Sequence, residues 1–197
     1  MKNIKKFLAI YLFLTIYEKN VFSEKDIEII QLEVERWQEF KNLRLKAESE
    51  LPHVFGVNFE DEFAKEDYYW KKILIEGKKE KNSWIIFAQI NNKLIGMVRA
   101  YHEWPETFCK HIVSIANVYV APEFRGKKVA TKLLQEIIQK LEKNSSINQA
   151  TLWVNHELTE AIKLYLKFGF KIYGTLPHGI KINNNYHDNY LMVRKIN

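Results

Sequence analysis

Between Val118 and Leu134 the chain reads Val-Tyr-Val-Ala-Pro-Glu-Phe-Arg-Gly-Lys-Lys-Val-Ala-Thr-Lys-Leu-Leu, an order of residue types suited to holding an anion. A β-rich run stops at Pro122, a short basic turn containing Gly126 follows, and an amphipathic helix begins at once. The first N–H groups of a helix have no partner inside it and carry a partial positive charge. Arg125, Lys127 and Lys128 place full charges beside them. Backbone donors from Arg125 through Thr131 would therefore suit a phosphate. A solvated cluster of cations at a helix start is the plainer alternative.

Other groups capable of chemistry are scattered. Tyr165 lies on a helical pattern with Ile162, Leu164 and Phe168; its phenol, with an ordinary pKa of about 10, could donate a proton, or simply pack in the core. His102, His111, His178 and His187 lack the short helical spacing of a zinc site. Cys109 stands two residues from His111, but no Ser/His/Asp pattern adjoins it to activate a thiol. Glu60, Asp61, Glu62, Glu66 and Asp67 could draw in a cationic amine, or form a solvated helix face. Tyr68, Tyr101 and Trp104 could line a substrate groove.

Periodicity supplies the elements that must position these groups. A short strand is expected over 27–33 and a helix from Val34 to about Glu48, with Val34, Trp37, Phe40 and Leu43 on one side. Pro52 and Gly56 punctuate a loop, and a charged helix should run from Glu60 to Glu76, closed by Gly77. Trp84–Ile90 and Leu94–His102 flank Asn91-Asn-Lys93 as a hairpin. A strand over His111–Val120, a helix over Gly126–Lys143, a strand over Ala150–Asn155 and a helix ending before Gly169 follow. Phe170–Leu176 and Tyr186–Arg194 form a final strand pair. The order predicts one α/β domain with a mixed, twisted sheet flanked by helices.

The chain has 197 residues, 47% hydrophobic and 27% charged, enough for one well-buried domain. Its charge is 30 − 24 = +6, which can attract anions. No Arg-rich arm or RNA-binding aromatic motif accompanies it, so no specific nucleic-acid partner is expected. A single cysteine excludes an internal disulfide. Residues 1–22 combine Lys2, Lys5 and Lys6 with an apolar run over 7–17. That run is far shorter than the roughly 20 residues of a membrane span, and no small-residue cleavage site follows it. An additional helix, a peripheral membrane contact and a leader-like extension all remain open.

Val118 through Ala130 resembles the acetyl-CoA-binding motif of the GNAT superfamily of N-acetyltransferases, Arg/Gln-x-x-Gly-x-Gly/Ala. Leu152-Trp-Val, followed by Ala161-Ile-Lys-Leu-Tyr-Leu-Lys-Phe-Gly-Phe170, resembles the superfamily's second cofactor motif, and Gly179 through Met192 its closing strand pair. Leu43-Arg-Leu-Lys-Ala47 is similar to its first helix. The resemblance covers residues 27–197. It implies the GNAT fold, acetyl-CoA as acetyl-donor cosubstrate without a metal, and direct transfer to a primary amine on a small molecule, peptide or protein. Val118 and Val120 would hold the pantetheine arm. Arg125, Gly126, Lys127, Lys128, Ala130 and Thr131 would surround the pyrophosphate, and Tyr165 would be the general acid.

Two positions depart from the pattern. Lys128 replaces a motif glycine, which is acceptable if that residue lies in right-handed helical space. Leu158 replaces an asparagine, and Asn155 is the expected substitute contact to the cofactor. These departures leave a noncatalytic CoA-binding regulatory module as the alternative. For the base, Asn117 could orient a water, while His102, Glu103 and His111 are candidates. Residues 50–82 and 103–110 would border the acceptor. A cytoplasmic location follows from the supply of acetyl-CoA, with membrane association through residues 7–17 and a homodimer both open.

Overall fold

Asn91 and Asn92 both adopt positive φ, 48° and 62°, the backbone that a two-residue hairpin turn between right-twisted strands demands. In the computed structural model they join β2 (Ser83–Ile90) to β3 (Lys93–Tyr101), as the asparagine pair predicts. The structure describes residues 23–55, 59–80, 82–104, 108–182 and 184–197. The expectations for residues 1–22, including the apolar run over 7–17, lie outside the described residues. Among those described, no helix is long and apolar enough to cross a membrane.

Seven strands form one sheet in the order β1-β2-β3-β4-β5-β7-β6. The remaining strands are β1 (Glu28–Ile30), β4 (Ile112–Val120), β5 (Gln149–Asn155), β6 (Lys171–Ile182) and β7 (Asn185–Lys195). Neighbours run antiparallel except β4 and β5. The helices are α1 (Trp37–Glu50), α2 (Pro52–Phe55), α3 (Phe59–Phe63), α4 (Asp67–Lys79), α5 (Val129–Glu142) and α6 (Thr159–Lys167). The mixed α/β sheet expected from the element order is the observed architecture.

Both faces of the sheet are covered. Phe40 of α1 meets Phe87 of β2 and Trp70 of α4, with ring centroids 5.4 and 5.3 Å apart. On the other face, a Cβ added at Gly96 of β3 would lie 3.1 Å from Leu133 and 3.3 Å from Val129 of α5. Gly169, at φ 82°, ends α6 as expected: the N–H of Phe170 reaches back to the Tyr165 carbonyl.

Two helical expectations need correction. The single helix expected over 60–76 is two, α3 and α4, separated after Phe63. Gly77 is not a terminator but a buried residue inside α4. A Cβ there would sit 2.5 Å from Ile85 Cγ2, so glycine permits close helix–strand approach. Glu80, at φ 49°, supplies the left-handed cap instead.

A buried ion cluster fastens this helical layer. Arg44 Nη2 is 2.7 Å from Glu48 Oε1, Arg44 Nε is 3.9 Å from Glu62, and Lys65 pairs with Glu62. Arg44, Glu48 and Glu62 are all buried. Burial dominates at Glu48, whose pKa is pushed up from 4.5 to about 7 against the opposing pull of Arg44. A carboxyl that holds its proton more tightly folded than unfolded stabilises the fold in acid. That contribution fades as pH rises from the unfolded value of 4.5 through about 7. Thermal unfolding between about pH 5 and about pH 8 should show this decline, and Glu48→Gln should flatten it without lowering stability at the alkaline end.

Candidate functional site

Parallel pairing between β4 and β5 covers only Ile112–Gln149, Val113–Ala150 and Ser114–Thr151. Beyond Ser114 the strands part. A bulge helps to drive them apart: Met97 pairs with Tyr119 and Arg99 with Ala116, so Val98 alone faces Asn117 and Val118. Asn117 takes φ 56° there, a backbone that asparagine tolerates better than most residues. The parting leaves a cleft of about 920 Å³, with strand backbone on one wall freed from ladder pairing.

The basic turn closes one end of this cleft. Pro122–Phe124 is a short 3-10 turn, and α5 starts at Val129. Its first helical hydrogen bond runs from Lys132 N to the Lys128 carbonyl, which leaves the N–H groups of Val129, Ala130 and Thr131 ahead of the ladder. Those three residues line the cleft, as do Arg125, Gly126 and Lys128. Lys127 does not; its ammonium lies 5.7 Å from the centre of the Phe124 ring. The condition under which a lysine at 128 would be free of strain, right-handed space, is not met: its φ is 61° and ψ 15°, left-handed. A lysine here bears the steric cost that glycine avoids, and its ammonium pairs with Glu24 at 2.8 Å.

Strand alternation sorts the remaining residues by face. Met97 pairs with both Phe87 and Tyr119, and directly paired residues share a face. Phe87 packs on α1, so Tyr119 faces α1 too, and its hydroxyl donates to Glu50 Oε2 at 2.8 Å. Glu50 also lies 3.8 Å from Arg125 Nη2, while Arg125 Nε donates to the Val120 carbonyl at 3.0 Å. The row Tyr101, Ser114 and Thr151 continues that face across the sheet. Two-residue alternation carries it along β5 to Trp153 and Asn155.

Val118, Val120, Asn155 and Tyr165 all line the cleft. Tyr165 is buried, and burial raises the pKa of its phenol, which keeps the proton on the oxygen. Of the base candidates Glu103 borders the cleft, as does Asn117, the residue that could orient a water. His102 is turned to the Ile112 carbonyl, 2.9 Å from Nδ1, with its ring against Trp84. His111 lines a separate pocket at the opposite end of β5, beside Lys171 and Arg194. Cys109 is not among the cleft residues. Among the described residues, no cluster of three or more histidine, cysteine or acidic side chains could hold a metal.

Residues 24–170 match the model of the Acetyltransferase (GNAT) family. The chain belongs to that family. An N-alpha-acetyltransferase of Sulfolobus acidocaldarius is 27% identical over 142 residues, covering 69% of this chain and 83% of that one. The match to an uncharacterized N-acetyltransferase of Methanocaldococcus jannaschii, also 27% identical, covers 53% of this chain but only 44% of that relative. A GNAT acetyltransferase structure from Streptococcus pneumoniae superposes with a TM-score of 0.75 at 19% identity, covering 87% of this chain and 99% of the other. A phosphinothricin acetyltransferase of Sinorhizobium meliloti in complex with acetyl-CoA gives 0.73 at 17%, covering 87% and 89%. At these identities the structures show a shared fold.

Sequence reasoning missed Asn189, which lines the cleft, and Glu50, which meets Tyr119 and Arg125, because each arrives through tertiary placement. The family glycine that Lys128 replaces was the one signal for a left-handed turn, and the lysine in its place concealed it. Substitution at this position should therefore follow backbone freedom rather than charge. Lys128→Gly should hold or raise the urea midpoint, and the β-branched Lys128→Val should lower it.

Proposed function

We propose that this protein transfers the acetyl group of acetyl-CoA directly to a primary amine. The observation that carries this reading is the parting of β4 from β5, with the N-terminus of α5 at one end of the gap and Tyr165 within it. The free N–H groups at Val129, Ala130 and Thr131, together with Arg125 and Lys128, fit the pyrophosphate. Lys163 of α6, also on the cleft, adds a cation for the remaining phosphate. The unpaired backbone at Asn117 and Val118 would hold the pantetheine arm near Val118 and Val120 and polarise the thioester carbonyl.

The neutral amine attacks the thioester carbon, forming the C–N bond as the C–S bond breaks. Tyr165 gives its phenolic proton to the departing sulfur, and the proton lost by the nitrogen passes to water beside Asn117 and Glu103, from which solvent restores the phenol. A buried phenol suits this role because it stays protonated near neutral pH. The acyl acceptors and cofactors of the related acetyltransferases support the same chemistry: one neighbour, a spermidine N-acetyltransferase of Vibrio cholerae, holds CoA and spermine. Acetyl-CoA supply favours the cytoplasm.

A noncatalytic CoA-binding module would need the cofactor groups but not Tyr165. Calorimetric titration with acetyl-CoA should give saturable binding in the native protein. Arg125→Glu should weaken it by roughly tenfold or more, about 1.4 kcal/mol, since it places a carboxylate among the phosphate ligands. Tyr165→Phe should retain binding and lower kcat by roughly a hundredfold, within the usual range for losing a general acid. Unchanged turnover in that variant would remove the acid role.

A further inference from the structure

Asn155 and Asn189 are directly paired across β5 and β7. Both line the cleft, and each is only 2% exposed. Asn155 Oδ1 accepts the N–H of Glu157 at 2.8 Å, which fixes its amide and leaves Nδ2 as the available end. Nδ2 has no hydrogen-bond partner in the protein, and neither has Asn189 Oδ1. Buried polar atoms are nearly always paired, so two orphans on neighbouring residues mark a place where a ligand completes the set. One is a donor and the other an acceptor.

A peptide or carboxamide group offers the complement, one carbonyl and one N–H. The position of the pair tells which ligand would bring it. Alternation puts both side chains on the face of α1, whereas α5, whose N-terminus serves the phosphates, packs on the other face. Counting four residues along each strand from the Ser114–Thr151 pair brings Asn155 level with Val118, beside the bulge. Asn155 and Asn189 thus belong to the cleft wall on the α1 face, opposite the face that carries α5. Gly179 of β6 also lines the cleft and lies against Asn189; a Cβ there would fall 3.0 Å from Asn189 Nδ2, so β6 backbone buttresses the amide.

We propose that Asn155 and Asn189 recognise an amide adjacent to the reacting amine, which makes the acceptor the amino-terminal residue of a peptide. A lysine side chain, a polyamine or a plain alkylamine carries no amide at that distance and leaves both asparagines unsatisfied. The proposal rests on the acetyl-transfer reading above. It moves Asn155 from the cofactor contact that the sequence suggests to the acceptor site.

The test compares acetylation of L-alaninamide with that of the alkylamine in which methyl groups replace the amide oxygen and nitrogen. With rates expressed per unprotonated amine, the native protein should prefer the amide in kcat/KM by roughly tenfold or more, because a site built to hydrogen-bond discriminates strongly against an analogue that cannot. Asn155→Asp, which swaps the donor for an acceptor at constant shape, should collapse that ratio, and Asn189→Leu should do the same. Equal rates for the two amines in the native protein would overturn the proposal. So would a loss of acetyl-CoA affinity in both variants that matches their loss of rate, since that would return the pair to the cofactor. If neither amine is acetylated, the transfer reading fails, and equilibrium binding to the CoA complex decides about the pair. Selective binding of L-alaninamide would keep it, and equal or absent binding of both amines would end it.

Discussion

β4 and β5 stay together for three residue pairs and no more, and the usefulness of the molecule depends on that short length. A longer parallel ladder would close the sheet and satisfy its own backbone. By parting after Ser114, the strands expose N–H and C=O groups at the centre of the domain, where unpaired groups are otherwise costly. The bulge at Asn117 and Val118 adds twist that a regular ladder would resist. Both strands remain anchored elsewhere, β4 by β3 and β5 by β7, so the opening is held rather than collapsed.

Two sets of polar contacts position the helical layer over one side of that opening. The Arg44–Glu48–Glu62 cluster is buried, and Arg44 joins the carboxyl of α1 to that of α3. Such a cluster specifies geometry more than it adds stability, given the desolvation of each charge. At the end of α1, Glu50 accepts the Tyr119 hydroxyl at 2.8 Å and approaches Arg125 at 3.8 Å. The first contact is a short bond to a buried phenol. The second spans a half-exposed guanidinium and contributes little by itself. Its value is directional: it holds Arg125 near the turn that precedes α5.

The residues that announced themselves in sequence did so through local chemistry. Asn91-Asn92 required positive φ in a hairpin, Pro122 stopped a strand, and Gly169 ended a helix; each needs only its neighbours in the chain. Gly77 misled because a helix interior and a helix end can both want glycine, and only the approach of Ile85 distinguishes them. Lys128 misled for the opposite reason, since a lysine hides the left-handed backbone that the family glycine would have disclosed. Asn155 and Asn189 lie on strands joined by a register that no local pattern fixes, so their pairing was invisible until the sheet was assembled. The fold was therefore largely legible and the basic end of the cleft partly so, while the asparagine end depended on contacts between distant segments.

The partition of the sheet also bears on how the chain reaches its native state. β2–β3 and β6–β7 are hairpins between consecutive strands, and such local pairings close small loops. Joining β4 to β5 brings together residues 37 apart, as between Ser114 and Thr151, with α5 in the connection. Slow, nonlocal closure of this kind tends to follow local structure. The two halves of the sheet meet only along that brief seam, and the cleft is the space their docking encloses. A ligand seated there touches both halves at once, so its affinity is thermodynamically linked to their association, and it acts as a clasp on the finished fold.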